Sequence, residues 1–157
     1  VLSRGLGNLQ SILRKAQAHA QSSGYDAEVL LQARLYPDMF PLLRQVQIAC
    51  DTPKFAAERL AGTEPRRFED TEASFEQLLA RVEAVIDYLG GFSAAQIDGS
   101  EARTVVVPSR SGVRTFDGRG YLLGFVLPNL HFHTSIVYAL LRHNGVPRGK
   151  LDYLGAR

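Results

Sequence analysis

The sequence predicts a mainly all-α protein, a four-helix bundle with a small β-hairpin between its third and fourth helices. Three observations carry that prediction. Apolar residues recur three and four apart along four long stretches, the spacing that lines one face of a helix. Each stretch closes on glycine, at Gly24, Gly62, Gly90-Gly91 and Gly145, the residue that most readily takes a left-handed cap. Between 103 and 116 the pattern changes to short β-branched or aromatic runs among turn residues.

The first helix is expected over 2–22, with Leu2, Leu6, Leu9, Leu13 and Ala16 on one face and Ile12 beside them. Asp26 is placed to cap a shorter helix reaching Leu35. Tyr36-Pro37 ends it, because a residue before proline avoids the α region. Asp38 is then read as the cap of a second long helix over 38–61, with Pro41 in its first turn. Its stripe is Leu42, Gln45, Val46, Ala49, Ala56 and Leu60, and Pro53 should kink it one turn earlier. After a polar connection over 63–70, Thr71 is read as the cap of a third helix over 71–89, where Glu72 suits the N-terminal dipole. Phe75, Leu78, Leu79, Val82, Ile86 and Leu89 form its inner face. Ser93 and Gln96 have capping-box spacing, which predicts a single further turn. Strands are expected at 103–107 and 113–116, separated by Pro108 and Ser111-Gly112. Asp117-Gly118 turns the chain into the fourth helix, over 119–144, and the glycine-punctuated tail from Val146 to Arg157 packs irregularly over one end. Residues 1–157 read as one domain without repeats. The chain opens on Val with its stripe already running, so the start of the first helix is expected to be missing.

The fourth stretch carries three of the four histidines. Counting from Phe125 at helical period gives an inward stripe of Val126, Asn129, Phe132, His133, Ile136, Val137 and Leu140. Asn129 and His133 lie on it one turn apart. His131 is about 200° from His133 and faces outward. Pro128 has no amide hydrogen for the carbonyl of Gly124, so the helix should kink or restart there. The expected core includes Leu9, Val46, Leu78, Val82, Phe125, Phe132, Ile136 and Leu140.

Composition narrows the function classes. A hydrophobic fraction of 45% and a charged fraction of 22% are those of an ordinary globular chain. A net charge of +2 is too small to argue for nucleic acid or an anionic membrane as partner. No apolar run reaches the roughly 18 residues that a bilayer span needs. The single cysteine, Cys50, excludes an internal disulfide and a cysteine metal cluster, which suits the cytoplasm.

The runs FHTSIVYALLRHNGVPRGKLDYLG (Phe132 to Gly155) and LQARLYPDMFPLLRQVQIACD (Leu31 to Asp51) resemble an uncharacterised domain-of-unknown-function family, grouped with the DinB/YfiT-like metalloenzyme superfamily of four-helix bundles. The resemblance spans almost the whole chain and implies the bundle fold. It also implies a comparison of ligands. The wider superfamily, which includes thiol-dependent transferases and isomerases, places one histidine on the second helix and two on the fourth to hold a divalent metal. Here the second helix has no histidine, and Gln45 and Gln47 occupy its middle. On the fourth helix only His133 lies on the inward stripe. No histidine triad carries over, so no cofactor and no tightly bound transition metal are expected. Asp51 and Asp38, the first carboxylates that could substitute, lie toward the helix ends.

His133, Asn129, Gln45 and Tyr138 are the candidate residues of an inter-helix ligand pocket. Each has a plainer alternative. His133 could be a core histidine hydrogen-bonded to a neighbouring helix, and Asn129 could repair the backbone near Pro128. Gln45 could bond across helices, and Tyr138 could simply pack its ring. Gln45 and Gln47 are about 200° apart, so only Gln45 is expected inside. Arg44 and Asp51 read as surface or end-of-bundle ion pairs of small value. Cys50 reads as a small apolar residue rather than a nucleophile. His143 reads as a helix-dipole residue and His19 as solvent-facing. The spacing of Gly145, Gly149 and Lys150 is not that of a phosphate loop. Three functions fit these residues: a bundle binding an unknown small molecule near His133, a metal-dependent transferase or hydrolase, and a non-catalytic homodimeric interaction module. The first is preferred, and no motif fixes a reaction.

Overall fold

The computed structural model describes residues 1–109 and 112–155; Ser111 of the expected turn and the end of the tail lie outside them. Helix α1 (Leu2–Ser23) leads through a single turn, α2 (Glu28–Leu31), to α3 (Leu42–Ala61) and then α4 (Phe75–Gly90). A turn, α5 (Ala94–Ile97), and a 3-10 turn (Ser100–Ala102) precede the hairpin β1 (Thr104–Ser109) and β2 (Gly112–Asp117). The chain re-enters helix as α6 (Gly118–Gly120), winds as a π turn over Tyr121–Val126 and continues as α7 (Leu127–His143); the tail adds α8 (Lys150–Leu154). Helices α1, α3, α4 and α7 form the bundle, with α3 against α7 and α4, and α1 against α4. The expected mainly helical bundle with one hairpin is therefore the fold. Among the described residues, no helix is long and apolar enough to cross a membrane.

Local chemistry sets the boundaries. Gly24 and Gly62 close α1 and α3 with φ of 72° and 70°, where a Cβ would be strained. The capping box of Ser93 and Gln96 forms on α5. Two expected caps move. Helix α3 starts at Leu42 behind an extended Pro41, because Asp38 falls in a turn closed by the Met39 amide on the Tyr36 carbonyl. Helix α4 starts behind Ser74, whose hydroxyl accepts from the Gln77 amide, so Thr71 lies in the connection. Asp26 accepts from the Glu28 amide as a cap would, but the helix it starts ends at Leu31 rather than Leu35. Pro108 lies inside β1 opposite Val113 instead of ending the strand. A two-stranded ribbon leaves one side of each strand without a partner, so it tolerates a missing donor.

The main core joins Leu6, Leu9, Ile12 and Leu13 of α1 to Val46 and Ala49 of α3, Leu78 and Val82 of α4, and Val137 and Leu140 of α7. Each fully buried leucine contributes roughly 1.5–3 kcal/mol. A second cluster, with Ala56 and Leu60 of α3, Val105 and Val107 of β1, Tyr121 and Val126, fastens the hairpin to the end of the bundle. The hairpin's base is drawn tight at Gly118: a Cβ there would lie 1.9 Å from the Ser100 carbonyl oxygen.

The inward stripe of the fourth helix differs from the one counted from Phe125. Its buried residues are Val126, Leu130, His133, Thr134, Val137, Leu140 and Leu141. Phe132 is 54% exposed, and Phe125 and Ile136 are only half-buried. The π turn is the physical reason. Bonding five residues back puts more residues into a turn than the α spacing used for the count, so the register is rotated before α7 begins. Helix α3 departs in another way, since none of its residues is exposed. The connection over 62–74 and the hairpin cover the side that a surface helix would give to water, and Gln47 is buried along with Gln45.

Phe132→Ala should accordingly change unfolding free energy by less than about 1 kcal/mol, whereas Leu140→Ala should cost about 2–5 kcal/mol. Urea titration of the two variants measures the contrast.

Candidate functional site

Two side-chain rungs join α7 to α3. The His133 ring nitrogen Nδ1 lies 2.7 Å from Gln45 Oε1, and Asn129 Nδ2 donates to Thr52 Oγ1 at 3.0 Å. The first rung fixes a tautomer. Gln45 Nε2 donates to the Phe40 carbonyl at 3.1 Å, which orients the amide and leaves only its oxygen for the histidine. That oxygen cannot donate, so Nδ1 carries the proton and Nε2 keeps the lone pair of the neutral ring. Desolvation, and then the charge of Arg44, push the His133 pKa down. His133 is 8% exposed. Tyr138 does not join this group: its ring meets Tyr153 edge-on at 6.0 Å. The structure thus brings together His133 and Gln45, sets Asn129 one turn away, and leaves Tyr138 on another side of α7.

The opposite face of α3 carries charges that periodicity alone does not reveal. The Arg81 guanidinium of α4 is buried among Asp51, Asp70 and Glu72, each at 2.9 Å. Asp51 therefore belongs to a part-buried network centred on the buried Arg81 rather than to a surface pair. Burial raises the Asp51 pKa despite Arg81. Burial would lower that of Arg81, but the hydrogen bond it donates to Glu72 and the charges of Asp51 and Glu72 outweigh it and hold it above its ordinary value. Arg44 pairs with Asp70, and Gln47 Nε2 donates to Glu72 at 2.8 Å, which is why the second glutamine is inside. Cys50 adjoins the network, and burial pushes its thiol up to about 12. Farther along α3, Glu58 is 0% exposed; it accepts from the Arg66 amide at 2.7 Å and the Tyr88 hydroxyl at 3.1 Å, with Lys54 at 3.4 Å. Lys54 and Glu58, four apart, were a readable pair, but their burial depends on the covering connection.

A cavity of about 300 Å³ opens between α1, α7 and α8. Leu9, Ile12 and Leu130 give it an apolar floor, while Asn8, His131 and Tyr153 line its polar side. The Tyr153 hydroxyl lies 3.2 Å from His131 Nδ1, 3.2 Å from Thr134 Oγ1 and 3.1 Å from Ser135 Oγ. Arg4 Nη2 and Asn8 Nδ2 donate to the carbonyls of Leu154 and Tyr153, and Lys15 pairs with Asp152, so α8 is tied across the cavity by polar bonds. His131, exposed as expected, also lines the cavity, on a different side of α7 from the His133–Gln45 rung.

A family model described as a domain of unknown function (DUF1993) matches residues 1–154. The chain belongs to this family. The crystal structure of a DinB family member protein from Shewanella denitrificans is similar to it at 40% identity and a TM-score of 0.92, covering 99% of this chain and 88% of that one. That likeness sets the DUF1993 chain within the DinB-like superfamily. No curated protein matches it.

The DUF1993 chain does not fit the divalent metal of the wider superfamily. Where the second and fourth helices meet, His133 Nδ1 is committed to Gln45 and the Asn129 amide donates to Thr52. That leaves one histidine lone pair, against the three protein ligands of a catalytic zinc. Among the described residues, no group of three His, Cys, Asp or Glu side chains could hold a metal ion.

Two outcomes follow. The lowered His133 pKa means the unfolded chain takes up a proton first as pH falls below about 6.5, so this group's contribution is full above that pH and declines toward the lower folded value. Chemical denaturation across pH should show that slope, and His133→Gln should flatten it; an unchanged slope would refute the assignment. Arg81→Met should cost about 1–3 kcal/mol near neutral pH, because it removes the buried partner of the part-buried Asp51 and Glu72. The same titration measures that loss.

Proposed function

We propose that this DUF1993 protein is a small-molecule-binding bundle whose site is the cavity between α1, α7 and α8. One observation carries the reading: about 300 Å³ of space combines an apolar floor with hydroxyl, amide and imidazole groups along one side. The other side of α7 is closed by the His133–Gln45 and Asn129–Thr52 rungs, which hold the helix while the cavity side stays open. This moves the expected pocket from His133 to the neighbouring side of the same helix. The ligand has a short apolar body and one polar end. The buried lone thiol and the absence of disulfide chemistry suit a cytoplasmic setting.

Hexanol is the neutral probe for this reading. Ligand-observed NMR should detect its binding to the purified protein, with saturation transfer to the apolar floor. Gly5→Leu places a better helix former at the cavity wall and fills the space beside Leu130. It should abolish hexanol binding while the far-UV circular dichroism stays unchanged. Undiminished binding in that folded variant would place the probe elsewhere and refute the site.

A further inference from the structure

We propose that the cavity selects small organic anions, a carboxylate on a short apolar body, with Arg4 meeting the charge at the wall and Arg148 supporting it from behind the floor. The inference rests on the cavity being the binding site, and adds the sign of the ligand's charge.

Arg4 is the only permanently charged side chain lining the cavity, and no carboxylate lines it among the described residues. Its hydrogen bond goes to the Leu154 carbonyl, and among the described residues its positive charge has no anionic partner. Arg148 repeats the arrangement at greater depth. It is 7% exposed, and its Nη1 donates at 3.1 Å to the carbonyl of Ile12, a floor residue. Its Nε and Nη2 are buried without a hydrogen-bond partner among the described residues. Burial lowers the Arg148 pKa, and the nearby carboxylate of Asp152 acts against that shift. Asp152 is itself shared, pairing with Lys15 and accepting from the Gly149 amide at 2.8 Å. Arg4, Arg148 and Lys15 therefore lie along the α1–α8 side with one paired carboxylate, Asp152, among the described residues.

Arg4 is exposed at the rim, but a charge held against the buried floor of Leu9, Ile12 and Leu130 is screened less than one in bulk water. Arg148 lies outside the cavity lining and its orphan donors are sealed from it, so it acts on a carboxylate in the cavity through its charge alone, from behind Ile12. An ammonium group in the same place would meet repulsion from two guanidinium groups. Charge-assisted bonds from arginine also suit the planar carboxylate group. The volume limits the apolar body to a few carbons.

Isothermal titration of the full chain with hexanoate, hexanol and hexylamine near neutral pH tests the proposal. Hexanoate should bind about tenfold more tightly than hexanol, a difference of about 1.4 kcal/mol, and hexylamine should bind more weakly than either. Added salt should weaken hexanoate and leave hexanol unchanged. Arg4→Gln should bring hexanoate down to the level of hexanol without affecting hexanol, and Arg148→Met should also weaken hexanoate selectively. Equal binding of hexylamine and hexanoate, no salt effect on hexanoate, or equal losses for hexanoate and hexanol in Arg4→Gln would overturn anion selection while leaving the cavity as a neutral site. Failure of all three probes to bind would remove the cavity reading and the anion proposal together.

Discussion

Coverage of α3 on all its sides is the constraint on which the rest of the molecule depends. A bundle helix usually turns its polar side to water, but every residue of Leu42–Ala61 is at least partly covered. Its polar side chains must therefore find partners inside the protein. Gln45 finds His133, Gln47 finds Glu72, Asp51 finds Arg81, Thr52 is reached by Asn129, and Glu58 binds Tyr88 and the Arg66 amide. The partners are shared among three neighbours: α7, the 62–74 connection and α4. The same bonds that satisfy α3 therefore fix the positions of the elements around it. Hydrophobic burial gives the bundle its stability, and the polar rungs select one arrangement of its helices.

Much of this architecture was legible in the sequence, for local reasons. The stripes of α1 and α3, the glycine stops and the Ser93–Gln96 box depend on residues within a turn or two of one another. The shifts begin where distant elements intervene. Thr71 looked like a cap, but its surroundings belong to the charged segment that carries Asp70 and Glu72 to Arg81, and α4 waits for Ser74. Gln47 was expected outside because nothing local announces that the 62–74 connection folds back over it and over Arg81. Its mixture of both charge signs around Phe68 was the available signal. Phe132 fell on the counted stripe because the count was anchored on Phe125, which lies in the π turn and packs on the second cluster rather than the main core.

The candidate site divides along the same line. That His133 and Gln45 both face inward follows from helical spacing; that they meet depends on how α3 and α7 are placed. The cavity was harder to read, since part of its wall is α8, a five-residue helix in a glycine-punctuated tail without a periodic stripe. Tyr153 is buried in the consequences of that docking. Its hydroxyl reaches His131, Thr134 and Ser135, all on one helix, yet nothing in their spacing marks them as partners of a residue near the chain's end.

The close approach of Gly118 to the Ser100 carbonyl bears on how this fold can vary in length. Backbone meets backbone there, just outside the two ends of the hairpin, so the segment between is a loop closed at its neck. Its anchorage to the bundle lies in that neck and in Val105, Val107 and Phe116 on its inner side. Residues added beyond the paired ends of β1 and β2 would lengthen the loop without disturbing the neck. Closure entropy grows only logarithmically, about 0.6 kcal/mol for each doubling of loop length. The hairpin end is therefore the place where the family can gain or lose residues at small cost, while the helix that follows keeps its register.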